Sequence, residues 1–186
     1  MGARAEWMLT ATRAGLVRLS DREIDWVERA LAAARRQRLN RAVIAVSWLG
    51  NGTIYVVLAL LLLGFVGGTA WRVIAVGALC GGVSHIVYPV IKRAGGRPRP
   101  YRHRTSLVPL DVPLDYHSFP SGHAMSLSAT LTPGLFAWPN LWPVAMGLWL
   151  AMAWSRIASG HHYPSDVLGG TLLGSAIALP LTRALL

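Results

Sequence analysis

Long runs without a charged side chain alternate with short polar segments along this chain. Residues 42–71 contain no Asp, Glu, Lys or Arg over 30 positions, and residues 73–91 add a further 19. Each run is long enough to supply the roughly 20 residues with which an α-helix crosses a bilayer. A third run, residues 116–155, is 40 residues long, and its segment 138–143 holds two tryptophans and two prolines. That composition favours an interfacial turn between two helices.

The pattern predicts an all-α fold, a polytopic membrane helix bundle with about five transmembrane helices. Small residues within the second and fifth spans suit close packing of helices in lipid. The single cysteine, Cys80, lies in an apolar run and is expected to be a small packing residue. The predicted spans fall near residues 42–71, 73–91, 121–138, 141–158 and 166–185.

The first 41 residues follow a different pattern, in which polar and apolar positions are mixed. Ser20 and Glu23 resemble a capping box, and the apolar positions that follow share one helical face: Ile24, Val27, Leu31 and Ala34. We predict an amphipathic helix that lies on the membrane surface. The alternative is a solvated helix that packs on a cytoplasmic partner. The chain then divides into a basic N-terminal arm, residues 1–41, and a transmembrane domain, residues 42–186.

Composition and charge narrow the class of protein. The chain is 53% hydrophobic and only 14% charged, with 18 basic and 8 acidic residues. A nucleic-acid-binding module needs a polar exterior to carry its basic face, so nucleic acid is excluded as a partner. One cysteine also excludes a disulfide framework. Nine arginines in residues 1–41 place the arm in the cytoplasm by the positive-inside rule, in a multi-pass protein of a bacterial inner membrane.

Three polar clusters, residues 92–100, 120–123 and 155–166, interrupt the apolar runs. With five spans they all lie on the face of the membrane that carries the arm, and the loop 92–122 forms their centre. Fixed cations from several chain positions suit the oxygens of a phosphoryl group. Two histidines supply a nucleophile and an acid for the leaving oxygen. His162 and Asp166 are four residues apart, so the carboxylate can reach one ring nitrogen.

The spacing within these clusters resembles the three-part signature of the type 2 phosphatidic acid phosphatase family. That family also includes the vanadium-dependent haloperoxidases and glucose-6-phosphatase. Membrane members of the family typically have six spans, whereas five and an N-terminal arm are predicted here. The matching residues are Lys92-x6-Arg99-Pro100, Pro120-Ser121-Gly122-His123 and Ser155-Arg156-x5-His162-x3-Asp166.

The resemblance implies a role for each matching residue. His162 would attack phosphorus and form a phosphohistidine, Asp166 would orient it, and His123 would protonate the leaving oxygen and then activate water. Pro100 and Pro120 would support the two loops. The resemblance implies neither a metal nor another cofactor. The phosphate oxygens would be neutralised by Lys92, Arg99, Arg156, the Ser121 hydroxyl and the Gly122 N–H.

We therefore expect an integral membrane lipid phosphatase that hydrolyses a phosphate monoester or diphosphate at the cytoplasmic face of the bilayer. Polyprenyl diphosphate, phosphatidylglycerol phosphate and phosphatidic acid are the candidate substrates. A phosphatase of a polyprenyl-phosphate sugar phosphate is an alternative. A vanadate-dependent oxidant and a non-catalytic protein that binds anionic lipid are the two rivals, and a homo-oligomer stays open.

Other polar residues receive simpler interpretations. A metal site at His161, His162 and Asp166 is disfavoured by the neighbouring guanidinium of Arg156. His85 is expected to be hydrogen-bonded inside the bundle. The remaining arginines of the first loop are expected to be solvated, rather than to hold a second phosphate or a headgroup: Arg93, Arg97, Arg102 and Arg104.

Overall fold

The computed structural model describes residues 3–113 and 115–186 and is all-helical over them, which confirms the all-α part of the predicted fold class. Short 3-10 turns at Gly67–Ala70 and Pro139–Leu141 join neighbouring helices. The α-helices of the described residues are α1 Ala3–Arg36, α2 Asn40–Leu49, α3 Thr53–Val66, α4 Trp71–Gly95, α5 Pro100–His103, α6 Gly122–Ala137, α7 Trp142–Ala158 and α8 Pro164–Leu185.

Helix α6 packs against both α4 and α8 at the centre of the bundle. Glycines let the backbones of α6 and α8 approach closely. A Cβ on Gly170 would lie 2.5 Å from the Ser121 carbonyl oxygen, and one on Gly174 would overlap the Met125 carbonyl. Cys80 of α4 is fully buried, as predicted for a packing residue. Small residues therefore set the distance between helices that carry the polar clusters.

The first predicted span differs from the structure, because residues 42–71 form two helices instead of one. The break lies at residues 50–52, between α2 and α3. Gly52 has a φ of 135°, a conformation that side chains disfavour. Gly50 lies so close to α6 that an added Cβ would be 2.7 Å from the His123 ring. Close approach to a neighbouring helix, which the apolar run does not reveal, explains the break.

Large apolar side chains cover much of the outer surface. Phe65 is 87% exposed and Ile86 is 74% exposed. Large apolar surfaces of this kind are rare on proteins that are surrounded by water. Two helical segments, Thr53–Gly95 and Pro164–Leu185, are long and apolar enough to cross a membrane. The outer surface is therefore of the kind that a bilayer covers.

The apolar face of α1 is covered by the same chain. Ile24, Val27 and Leu31 are buried in a cluster with Leu107 and Tyr163. The arm therefore packs on the loop after α5 and on the connection between α7 and α8. The sequence led us to expect that the membrane covers this face of α1. In the structure these apolar side chains are instead covered by other parts of the same chain. Whether α1 also touches the bilayer surface stays a prediction.

The variant Gly174→Ala is expected to destabilise the protein, because the new methyl group must push α6 away from α8. Overpacking of this kind costs about 1–3 kcal/mol, which lowers the thermal unfolding midpoint by several degrees. The matched control is Gly147→Ala in α7, where no atom lies within 4 Å of the added carbon. Equal midpoints for the two variants in detergent would contradict the close contact.

Candidate active site

The three polar clusters meet at one cavity of about 980 Å³. They come from the end of α4 and the loop after it, the start of α6, and the end of α7 with its connection to α8. Histidines and cations from distant chain positions therefore face a common space. Of the site residues that the sequence analysis predicted, those that line this cavity are Lys92, Arg99, Gly122, His123, Arg156 and His162.

The first cluster reaches the cavity through a turn at the end of α4. Gly96 ends the helix with a φ of 59°, a left-handed conformation that favours glycine. Pro100 begins α5 and is buried; a proline is well tolerated there because the first helical N–H has no partner in the helix. The turn brings Arg99 to the same cavity that Lys92, in the last turn of α4, lines.

Ser121 occupies a helix cap and is not among the described residues that line the cavity. Its Oγ accepts the N–H of Ala124 at 3.5 Å, and its own N–H donates to the Asp166 carbonyl at 3.0 Å. The side chain is fully buried, as is Pro120 before it. The structure thus gives Ser121 a capping position, whereas the sequence led us to expect a hydroxyl directed at phosphate. Gly122 lines the cavity as expected.

Asp115, a residue that the sequence analysis did not select, bridges two of the cations. Lys92 Nζ donates to one carboxylate oxygen at 2.6 Å, and Arg99 Nη2 donates to the other at 2.5 Å. Burial opposes ionisation, but the charges of Arg99 and Lys92 hold the pKa of Asp115 below its ordinary value. The two cations are therefore spaced to bind the oxygens of one anionic group.

His162 is buried between a carboxylate and a guanidinium. Its Nδ1 lies 3.5 Å from Asp166 Oδ2, and its Nε2 lies 3.4 Å from Arg99 Nη1. Burial, then the charges of Arg99 and Arg156, lowers the pKa of His162 well below its ordinary value, so the ring is neutral at pH 7. The carboxylate favours the proton on Nδ1, which leaves the lone pair on Nε2. The predicted contact between His162 and Asp166 is an approach of 3.5 Å, longer than a hydrogen bond.

Arg97 binds Oδ1 of Asp166, whereas His162 lies near Oδ2. The prediction that Arg97 is solvated is therefore wrong. The residue is 1% exposed. Its Nη1 donates to Asp166 Oδ1 at 2.6 Å, and its guanidinium stacks 3.9 Å from the centre of the Tyr163 ring. Residues two apart in an extended segment are expected to point to the same side. The spacing of Arg97 and Arg99 therefore gives no signal that separates them, and only the tertiary contacts do.

Arg156 is fixed by two residues that the sequence analysis did not assign to the site. It donates to the hydroxyl of Ser47 in α2 and, through Nη2, to Nδ1 of His161 at 2.5 Å. His161 in turn donates to the carbonyl of Asp111 at 2.9 Å. Burial, then the charge of Arg156, lowers the pKa of His161 to about 3. His161 is therefore a neutral acceptor that orients the guanidinium.

His123 is oriented by the break between α2 and α3. Its Nε2 lies 2.9 Å from Asn51 Oδ1 and 3.2 Å from the Ser47 carbonyl. Both partners are acceptors, so Nε2 carries the proton and Nδ1 is free. The sequence analysis did not select Asn51, because the charge-free run 42–71 predicts one continuous helix in which Asn51 has no distinct position. His85, expected to be hydrogen-bonded inside the bundle, is instead exposed and lines the cavity.

The sequence model of the PAP2 superfamily matches residues 69–185, more than half of the chain, and the chain belongs to this superfamily. The match includes all three polar clusters. It begins after α3, so α1, α2 and α3 lie outside it. The predicted resemblance to the type 2 phosphatidic acid phosphatase family is confirmed.

Curated relatives of the chain are phosphatases. It is 39% identical over 107 residues to the decaprenylphosphoryl-5-phosphoribose phosphatase of Mycobacterium tuberculosis, covering 58% of this chain and 56% of that one. It is 32% identical over 102 residues to the lipid A 1-phosphatase of Rhizobium etli, covering 52% of this chain and 43% of that one. The chain thus spans about half the length of the curated relatives it matches.

The fold resembles a solved structure over nearly its full length. That structure is the transmembrane PAP2 type phosphatidylglycerolphosphate phosphatase from Bacillus subtilis, with a TM-score of 0.71 and 21% identity. The similarity covers 97% of this chain and 94% of the other. Together with the two long apolar helical segments, the family indicates a membrane protein.

Proposed function

We propose that this protein is an integral membrane lipid phosphatase that acts without a metal. The observation that carries the proposal is the cavity in which two histidines face three cations: His123, His162, Lys92, Arg99 and Arg156. Cations that converge from separate helices stabilise the charge on a transferring phosphoryl group. The phosphatase activities of the relatives support the same reaction class.

In the proposed first step, Nε2 of His162 attacks phosphorus as the bond to the leaving oxygen breaks. His123 gives a proton to that oxygen. A bound phosphate favours the protonated form of His123, in which Asn51 holds Nε2–H and Nδ1–H is the proton that transfers. The negative charge of Asp166 stabilises the imidazolium character that His162 acquires.

In the second step, water hydrolyses the phosphohistidine. His123, now neutral, takes a proton from the water whose oxygen attacks phosphorus, and the bond to His162 breaks. When the substrate binds, before the first step, its phosphate displaces the carboxylate of Asp115 from Lys92 and Arg99, because phosphate offers more oxygens and more negative charge. Arg156 keeps its orientation through His161 and Ser47.

A lipid substrate is supported by the shape of the site. The polar cavity shares Tyr55, Ala78 and Thr130 with a second, apolar cavity of about 740 Å³. Leucines and valines of α3, together with α4 and α6, line much of this second cavity. A phosphate headgroup in the first cavity therefore has an adjoining apolar path for its hydrocarbon tail.

A polyprenyl-phosphate sugar phosphate is favoured among the candidate lipids by a specific observation. Besides cations, the cavity contains Asn51 and the carboxylate of Asp111. These groups accept hydrogen bonds, which sugar hydroxyls can donate and a polyprenyl diphosphate cannot. The decaprenylphosphoryl-5-phosphoribose phosphatase relative supports the same choice. Polyprenyl diphosphate, phosphatidylglycerol phosphate and phosphatidic acid are the competing substrates.

We place the active site at the cytoplasmic face of a bacterial inner membrane, in a protein with five spans. The spans are α2 with α3, then α4, α6, α7 and α8. This topology puts the N-terminal arm and the loop 92–122 on one face. The nine arginines of residues 1–41 support the cytoplasmic assignment.

The variant His162→Ala is expected to lose activity by at least about a thousandfold, because it lacks the nucleophile. The measurement is phosphate release in detergent with EDTA from the four candidate lipids. His103→Ala is the control, since His103 pairs with Asp21 outside the cavity. An unchanged rate in His162→Ala would contradict the nucleophile assignment. Loss of wild-type activity in EDTA would contradict the metal-free mechanism.

The variant Ala78→Phe is expected to raise KM for a long-chain lipid phosphate by about tenfold, because the ring obstructs the junction of the two cavities. KM for a short, water-soluble phosphate ester should stay the same. Ala75→Phe, on the same helix and outside both cavities, is the control. An equal effect of Ala78→Phe on both substrates would show that the apolar cavity does not hold the tail.

Orientation is tested by cysteine labelling in a protein whose Cys80 is replaced by alanine. Val108→Cys lies in the exposed loop after α5, and Asn140→Cys lies in the turn between α6 and α7. We expect a membrane-impermeant thiol reagent to label position 140 in intact spheroplasts and position 108 only after lysis. The reverse pattern would place the active site outside the cytoplasm.

A further inference from the structure

We propose that Glu23, on the N-terminal helix, is a positioning residue that acts on Asp166 through Arg97. The inference rests on the proposed function of the site. Glu23 lies in α1, outside the residues 69–185 that the superfamily shares. The arm would then be part of the machinery that aligns the nucleophile, rather than only a contact to the membrane.

The guanidinium of Arg97 lies between two carboxylates. Its Nη1 is 2.6 Å from Asp166 Oδ1, and its Nη2 is 3.0 Å from Glu23 Oε2. The side chains of Arg97 and Asp166 are fully buried, and that of Glu23 is 10% exposed. Nε of Arg97 donates to Ser20 Oγ at 3.0 Å. Every arm of the guanidinium fork therefore has a partner, and two of these partners belong to α1.

Glu23 also holds the start of α8. Its Oε1 accepts the backbone N–H of Ser165 at 3.1 Å, and its Oε2 accepts the Ser165 hydroxyl at 2.6 Å. A carboxylate at the beginning of a helix is favoured by the helix dipole. Ser165 precedes Asp166 directly. One carboxylate from α1 thus restrains both the guanidinium that grips Asp166 and the backbone that carries it.

These restraints decide which oxygen of Asp166 faces the nucleophile. Oδ1 is taken by Arg97, whereas Oδ2 accepts the Tyr163 N–H at 2.8 Å and lies 3.5 Å from Nδ1 of His162. Without Glu23, the guanidinium loses its second carboxylate and can rotate, and Asp166 can turn with it. A misplacement of about 1 Å is sufficient to slow an aligned reaction by roughly 10²-fold.

Charge supports the same assignment. The two carboxylates and one guanidinium sum to a single negative charge in a buried site. When His162 acquires positive charge in the reaction, this cluster compensates it at close range. With a neutral residue at position 23, the charges of Asp166 and Arg97 would cancel. Less negative charge would then remain to compensate the positive charge on His162.

The test compares Glu23→Gln with Glu28→Gln in the full-length protein. Glu28 lies on the same helix and pairs with Arg104 at the surface, so its replacement also removes an ion pair of α1. We expect Glu23→Gln to lower kcat by about 10- to 100-fold, with KM within about twofold of wild type because the cations that bind phosphate do not contact Glu23. Glu28→Gln should keep both constants. The measurement is phosphate release per mole of monodisperse protein, so that a merely structural effect on folding does not enter kcat.

Arg97→Lys provides a second variant that keeps the positive charge. Lysine lacks the planar fork that bridges two carboxylates, so kcat should again fall while KM stays. Wild-type kcat in Glu23→Gln, or in Arg97→Lys if Glu23→Gln does not fold, would overturn the inference and leave the phosphatase proposal intact. An absence of phosphate release from the wild type would overturn both.

Discussion

A buried guanidinium, that of Arg97, connects parts of the chain that are far apart in sequence. It contacts Glu23 of α1 and Asp166 of α8, and its own backbone follows α4. Charges inside an apolar bundle are costly unless they are paired or hydrogen-bonded. This requirement holds α1 against the site, because separation of the arm would leave Arg97 and Asp166 with unmatched groups. The apolar contacts of α1 with Leu107 and Tyr163 add to the same attachment.

The remaining cations of the site satisfy the same requirement in a different way. Arg156 is held by neutral groups, the Ser47 hydroxyl and the His161 ring, so its positive charge stays available to an anion. Lys92 and Arg99 are both paired with Asp115, whose side chain is 36% exposed and belongs to a loop. A partner of this kind can be exchanged for phosphate more easily than a buried one. The site therefore combines fixed cations with a replaceable anion.

Close contact between α6 and α8 brings the two histidines into one cavity. Gly170 allows the backbone of α8 to approach Ser121, where the Ser121 N–H donates to the Asp166 carbonyl. The start of the helix that carries His123 is thus joined directly to the start of the helix that carries Asp166. Glycine at these positions is explained by the distance between backbones, since any side chain there would separate the two halves of the site.

The sequence by itself determined the features that depend on local pattern. Charge-free runs predicted the helices α4, α6, α7 and α8, and motif spacing selected residues that now line one cavity, such as His123 and His162. Tertiary structure decided the features that depend on distant partners. It turned Arg97 inward, placed Asn51 against His123 and set Asp115 between two cations. The physical reason is that burial and pairing of charge are properties of contacts, and Glu23 meets Arg97 across 74 residues of chain. No local pattern carries that information.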